Sequence, residues 1–244
     1  MKFFWKKPLW KKRRPFCTAI VPAAGNSTRM GGINKLTAEI GGVPVLVRTL
    51  QAIDAAQLVD EIVVAASEAQ LVEIAGLCKE AGLHKPVKVI RGGATRLESV
   101  LAASAEANAK ADLLAVHDGA RPLIRPEEFD DVVRCAQRTY AAAPAVPVTD
   151  TIKTADANGL VTGTPDRKSL YAVQTPQVFR SEILKAALQT AVRDGAEVTD
   201  DCGAVERLGK QVYLTAGSRE NIKITTPLDL VVAEAILEQR GSEA

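Results

Sequence analysis

Three clusters of small, cationic and acidic residues carry the chemistry this chain could do, and all three suit a polyphosphate. The first is "VPAAGNSTRMGGINK" at 21–35. Ala23, Ala24 and Gly25 let a backbone approach a ligand closely, and successive N–H groups there can form an anion-binding nest. Arg29 and Lys35 add fixed positive charge over phosphate oxygens. The spacing excludes the two familiar phosphate loops. A dinucleotide fingerprint needs GxGxxG directly after the strand, and an ATP-type loop needs Ser or Thr after the lysine. The plain alternative is a strand-to-helix loop with two solvated cations.

The second cluster, "RGGATRLES" at 91–99, puts Gly92 and Gly93 before a helix on which Arg96 and Ser99 share a face. It reads as close backbone contact with a base or ribose, or as a glycine turn capped by Thr95. The third, "VHDGARPL" at 116–123, ends an apolar run on Asp118. A carboxylate there is costly unless paired or metal-bound, and with phosphates supplying further oxygens it is a natural Mg²⁺ ligand. Arg121 is close enough to take another phosphate. Asp118 as a helix cap or as the partner of Arg121 is the alternative, and His117 reads equally as a strand-end histidine or a ligand. Further cations follow in "DTIK" (150–153), "DRKSLYAVQTPQ" (166–177) and "SRENIKITTPLD" (218–229), the last with Lys223. Each alone reads as a solvated charge, whereas together they suit a phosphorylated substrate.

The elements that must hold these residues are short apolar runs alternating with helical patterns. Strands are expected at 17–23, 61–66, 87–92, 112–118, 141–148 and 210–215. Pro144 and Pro147 point to a sheet margin or a bulge. Helices are expected at 44–56, 67–81, 96–110, 126–139, 180–193, 198–208 and 227–240. This order predicts an α/β fold, a mostly parallel sheet flanked by helices, with ligands at the carboxyl ends of the strands. Residues 149–173 break the pattern. Polar on both faces and turning at "DANG", they predict a protruding β-arm that meets a partner subunit.

Composition narrows the remaining choices. Apolar residues are 47% and aromatics 4%, so aliphatic side chains must fill a core between helices and sheet. The net charge of +2 gives no argument for a nucleic-acid partner. Basic residues crowd into 2–14, which reads as a solvated tail over residues 1–15 ahead of a single domain at 16–244. Contact of that tail with anionic lipid or RNA is the other reading. No apolar h-region or 18-residue apolar run accompanies it. Cys17, Cys78, Cys135 and Cys202 are scattered, as reduced core thiols of a cytoplasmic protein are.

In order, "VPAAGNSTRM…NK", "GGATRLESV", "VHDGARPL", "DTIK", "DRKSLYAVQTPQ", "TDD" and "NIKITTP" resemble the 2-C-methyl-D-erythritol 4-phosphate cytidylyltransferases of the non-mevalonate isoprenoid pathway. The resemblance runs from about Thr18 to Leu237. It implies a Rossmann-like nucleotidyltransferase fold of the nucleotide-diphospho-sugar transferase type, whose β-arm reaches into a homodimer partner. It implies transfer of CMP from CTP to 2-C-methyl-D-erythritol 4-phosphate, with Mg²⁺ and release of diphosphate. By motif, Arg29 and Lys35 would stabilise the transition state. Ala23, Ala24, Gly25, Gly93, Arg96 and Ser99 would hold the nucleotide, with Asp118 at the metal and Arg121 nearby. Thr151, Arg167 and Lys223 would position the acceptor. The "GGIN" before Lys35 is shorter than in many relatives. A ribitol 5-phosphate cytidylyltransferase is the nearest alternative, and a catalytically silent nucleotide-binding regulator at the membrane is the alternative of another class.

Overall fold

The computed structural model describes residues 13–25 and 34–242. Arg29 and the basic residues up to Lys12 lie outside them. In chain order the elements begin with β1 (Phe16–Ala23), β2 (Glu39–Ile40), β3 (Val43–Pro44), α1 (Val45–Ala55), β4 (Glu61–Ala66) and α2 (Leu71–Glu80). Then come β5 (Val87–Arg91), α3 (Arg96–Glu106), β6 (Ala111–Val116), α4 (Pro126–Thr139) and β7 (Ala141–Pro147). The arm carries β8 (Thr154–Ala155) and β9 (Val161–Gly163). The chain closes with β10 (Tyr171–Val173), β11 (Gln177–Arg180), α5 (Ser181–Arg193), α6 (Asp201–Arg207), β12 (Tyr213–Ala216) and α7 (Pro227–Ser242).

The main sheet runs β10-β7-β11-β6-β1-β4-β5, with β12 on the other side of β7. β1 pairs parallel with β4 and β6, as β5 does with β4 and β12 with β7, while β10 and β11 run antiparallel. Alternation along β1 sends Cys17, Ala19 and Val21 into one core with Leu46, Leu50 and Phe129. Ile20 enters the other with Val63, Leu114 and Phe179. Burial on both faces explains why the central strands read as unbroken apolar runs.

Two expectations for the sheet change. β11, at no position where the sequence predicts a strand, lies between β6 and β7. β7 is accordingly inside the sheet rather than at its margin. Its prolines fit because the Pro144 carbonyl accepts from the Gln174 N–H. The Pro144 nitrogen therefore faces the gap between β10 and β11, where no ladder donor is required.

The arm turns at Asp156–Leu160, where Asp156 Oδ1 accepts from the N–H groups of Asn158 and Leu160 and Gly159 takes a φ of 84°. It is shorter than 149–173, because Tyr171–Val173 rejoins the sheet against β7. Arg13 and Arg14, from the basic segment, are held at the start of β1. Arg13 pairs with Asp112 at 2.9 Å and Arg14 with Asp60. Among the described residues no helix is long and apolar enough to cross a membrane.

Candidate functional site

The carboxyl ends of β1, β5 and β6 open onto one cleft, which has two adjoining parts. The first, about 210 Å³, is lined by Ala23, Ala24 and Gly25 after β1 and by Lys35. Gly93, Arg96 and Ser99 line it from the start of α3, as do Asp118 and Lys223. The second, about 260 Å³, shares Arg96, Asp118 and Lys223 and adds Arg121, Gln174, Thr175, Gln177, Thr199 and Asp200.

Local chemistry sets each wall. Thr95 and Glu98 form a reciprocal capping box that starts α3 at Arg96. Ser99 Oγ accepts from the Gly93 N–H at 3.1 Å and donates to the Thr95 carbonyl at 2.8 Å. A Cβ on Gly93 would stand 2.3 Å from Glu98 Cβ, so only glycine fits this turn. Lys35 lines the cleft beside Gly25. Its Nζ lies 3.8 Å from where a Cβ on Gly25 would stand.

Asp118 is the hub. Its carboxylate lies 2.9 Å from Lys223 Nζ, 3.5 Å from Arg121 Nε and 3.6 Å from Arg96 Nε. Burial by itself would raise its pKa. The charges of Arg96, Lys223 and Arg121 outweigh burial and hold the carboxyl far below the usual range. Burial lowers the pKa of Arg121, against the pull of Asp118. Arg121 Nη1 donates to the Asn221 carbonyl at 2.7 Å, which leaves its buried Nε without a hydrogen bond.

His117 settles as a structural residue of the strand end. It is fully buried, and burial lowers its pKa to about 4. The Arg121 carbonyl, 3.2 Å from Nε2, can only accept, so Nε2 carries the proton. Nδ1 then accepts from the Thr175 hydroxyl at 3.1 Å, whose oxygen accepts the Asp118 N–H at 3.1 Å. This relay ties the Asp118–Arg121 turn to the segment before β11.

Behind Arg96 stands a carboxylate that the sequence alone does not place in the site. Arg96 Nη2 donates to Asp201 Oδ2 at 2.7 Å. Asp201 is 1% exposed. Burial lifts its carboxyl above the usual range while Arg96 draws it back. Gln177 Oε1 accepts from the N–H groups of Asp201 and Cys202, and its Nε2 donates to Asp200 Oδ2 at 2.8 Å. The available signal was "TDD", a run of two acids at a helix start.

Thr151 and Arg167 are brought to neither part of the cleft. Both are exposed on the arm, and Arg167 Nη1 donates to the Thr149 carbonyl at 2.6 Å. Among the described residues no group of three or more His, Cys, Asp or Glu could hold a metal by itself. A single hard carboxylate between two anion-sized spaces does fit Mg²⁺ carried mainly by phosphate oxygens.

Comparison with known proteins points to one family. Residues 17–239 match the family described as 2-C-methyl-D-erythritol 4-phosphate cytidylyltransferase. The chain is 42% identical over 228 residues to the protein of that name from Caldanaerobacter subterraneus subsp. tengcongensis, covering 91% of this chain and 99% of that one. It is 44% identical to the one from Thermosynechococcus vestitus, covering 92% and 96%. Among solved structures, 4-diphosphocytidyl-2C-methyl-D-erythritol synthase from Anaerococcus prevotii superposes with a TM-score of 0.82. That pair is 28% identical and covers 92% of this chain and 96% of that one. The Thermus thermophilus cytidylyltransferase gives 0.72 at 33% identity, covering 90% and 98%.

Proposed function

The chain belongs to the 2-C-methyl-D-erythritol 4-phosphate cytidylyltransferase family, and from that premise we propose how its cleft divides the reaction. The enzyme is a nucleotidyltransferase of isoprenoid precursor synthesis by the non-mevalonate pathway. CTP and 2-C-methyl-D-erythritol 4-phosphate give 4-diphosphocytidyl-2-C-methyl-D-erythritol and diphosphate. CTP enters the first part of the cleft, with its base toward Gly93, Arg96 and Ser99 and its triphosphate along Ala23–Gly25 and Lys35. The acceptor phosphate enters the second part, toward Arg121 and Lys223. The observation that carries this reading is Asp118 at the boundary, in contact with cations that line both spaces.

An acceptor oxygen attacks the α-phosphorus, the bond to the bridging α–β oxygen breaks, and diphosphate leaves with that electron pair. A phosphate monoester has a second pKa of about 6, so the nucleophile is already ionised at neutral pH and no general base is required. The difficulty is one anion meeting another, and this chain's contribution is charge and orientation. Lys35, with Arg29 from the loop outside the described residues, neutralises the triphosphate. Lys223 and Arg121 hold the acceptor. Asp118 holds Lys223 and Arg121 side by side against their mutual repulsion and would be the protein's ligand to Mg²⁺, which when bound would spread charge from the phosphates.

Thr151 and Arg167 would serve the partner's site across a homodimer. Ile152, Leu160 and Val161 stand exposed on the same arm, a surface that a partner would cover. The setting is cytoplasmic. With CTP, 2-C-methyl-D-erythritol 4-phosphate and Mg²⁺, ³¹P NMR is expected to show a coupled pair of diphosphate-ester signals and free diphosphate. EDTA is expected to abolish both. Product formation undiminished by EDTA would contradict the metal assignment, and hydrolysis of CTP without ester formation would contradict the transfer.

A further inference from the structure

We infer that Asp201 is a positioning residue for CTP, acting through Arg96. The inference rests on Arg96 lying on the nucleotide side of the cleft. Arg96 lines both parts of the cleft and stands between two carboxylates. Asp201 is 2.7 Å from Nη2 and Asp118 is 3.6 Å from Nε. Asp201 itself lines neither part. With 1% of its side chain exposed, it reaches a ligand only through the guanidinium. A long arginine has many rotamers, and a buried charge-assisted bond selects one of them.

Asp201 is in turn held rigidly. Its N–H donates to Gln177 Oε1, and Gln177 also bonds Asp200. Asp200 caps the same turn by accepting from the Gly203 N–H at 2.8 Å. The second carboxylate oxygen, Asp201 Oδ1, is buried without a hydrogen bond. An unpaired acceptor of this kind is not explained by a need to stabilise the fold. Its charge beside Arg96 has a use in the site. It offsets the pull of Asp118, so the guanidinium stays aimed at the nucleotide instead of collapsing onto the hub.

Asp201→Asn keeps the shape and removes the charge. It is expected to raise KM for CTP about tenfold, with kcat and KM for the acceptor within about threefold of the wild type. Arg96→Met is expected to raise KM for CTP by at least as much. In that background Asp201→Asn is expected to change it by less than about twofold, because the residue has nothing left to position. An unchanged KM in Asp201→Asn would overturn the proposal. So would a full additional effect in the Arg96→Met background, which would make Asp201 act independently of Arg96, or misfolding of both the single and the double variant, which would assign Asp201 to the fold alone. If Arg96→Met leaves KM for CTP unchanged, the failure lies in the nucleotide-side reading of Arg96 on which the proposal rests.

Discussion

Asp118→Asn is expected to lower kcat by about a thousandfold, the scale of losing one preorganised electrostatic contact plus a metal ligand. KM for CTP is expected to stay level or fall. The split follows from the surroundings of the residue. Among the described residues, Asp118 is the carboxylate ion-paired with Arg96, Arg121 and Lys223 together. Neutralising it frees Arg96, on the nucleotide side, to bind ground-state CTP, while the arrangement that serves the reacting phosphates is lost. A rise in KM with kcat unchanged would remove Asp118 from the chemistry.

The same variant separates stability from activity along the pH axis. The pKa of Asp118 is lower in the folded chain than in the unfolded one. Its contribution to stability is therefore complete above about pH 4 and is lost as pH falls further. Breaking a buried pair costs about 3–5 kcal/mol, so a thermal melt belongs beside the kinetics. Neither Asp118 nor His117, at about 4, titrates near neutrality. The acid limb of the wild-type rate is accordingly expected near pH 6, with the acceptor phosphate.

Lys35→Met is expected to lower kcat about a hundredfold to a thousandfold, with a smaller change in KM for CTP. Lys35 stands beside Gly25, at the backbone along which the proposed reading lays the triphosphate. An ammonium there acts most strongly where charge builds on the leaving diphosphate, which is why the loss belongs in kcat. Steady-state kinetics at saturating acceptor checks it, and a variant within threefold of wild-type kcat would contradict the role.

Much of the fold was legible because local signals agreed with long-range structure. β1, β4, β5 and β6 are β-branched or aliphatic runs closed by glycine, charge or a helix start, and the structure keeps them within a residue or two. Asp118 stood out because a carboxylate after "LLAV" has to be paired. β11 did not stand out. Gln177–Arg180 is four residues with polar ends, and its place is fixed by neighbours far away in sequence. A length of four carries little periodicity.

The site divides in the same way. The glycines and cations after β1, β5 and β6 follow from the rule that ligands gather at strand ends. Asp201 escaped because a second acid at a helix start reads as an ordinary first-turn charge. Only the fold brings it to Arg96, 105 positions away. The arm was legible as an arm, through "DANG" and its two polar faces. The destination of Thr151 and Arg167 is written in no local pattern.

The most direct test of the two-part cleft is diphosphate release from CTP with Mg²⁺, measured against matched concentrations of 2-C-methyl-D-erythritol 4-phosphate and ribitol 5-phosphate. Release with the branched tetritol phosphate is expected to exceed release with the pentitol phosphate by at least about a hundredfold in kcat/KM, or roughly 2.7 kcal/mol of transition-state discrimination. Equal rates, or a preference for ribitol 5-phosphate, would contradict the assignment of the acceptor.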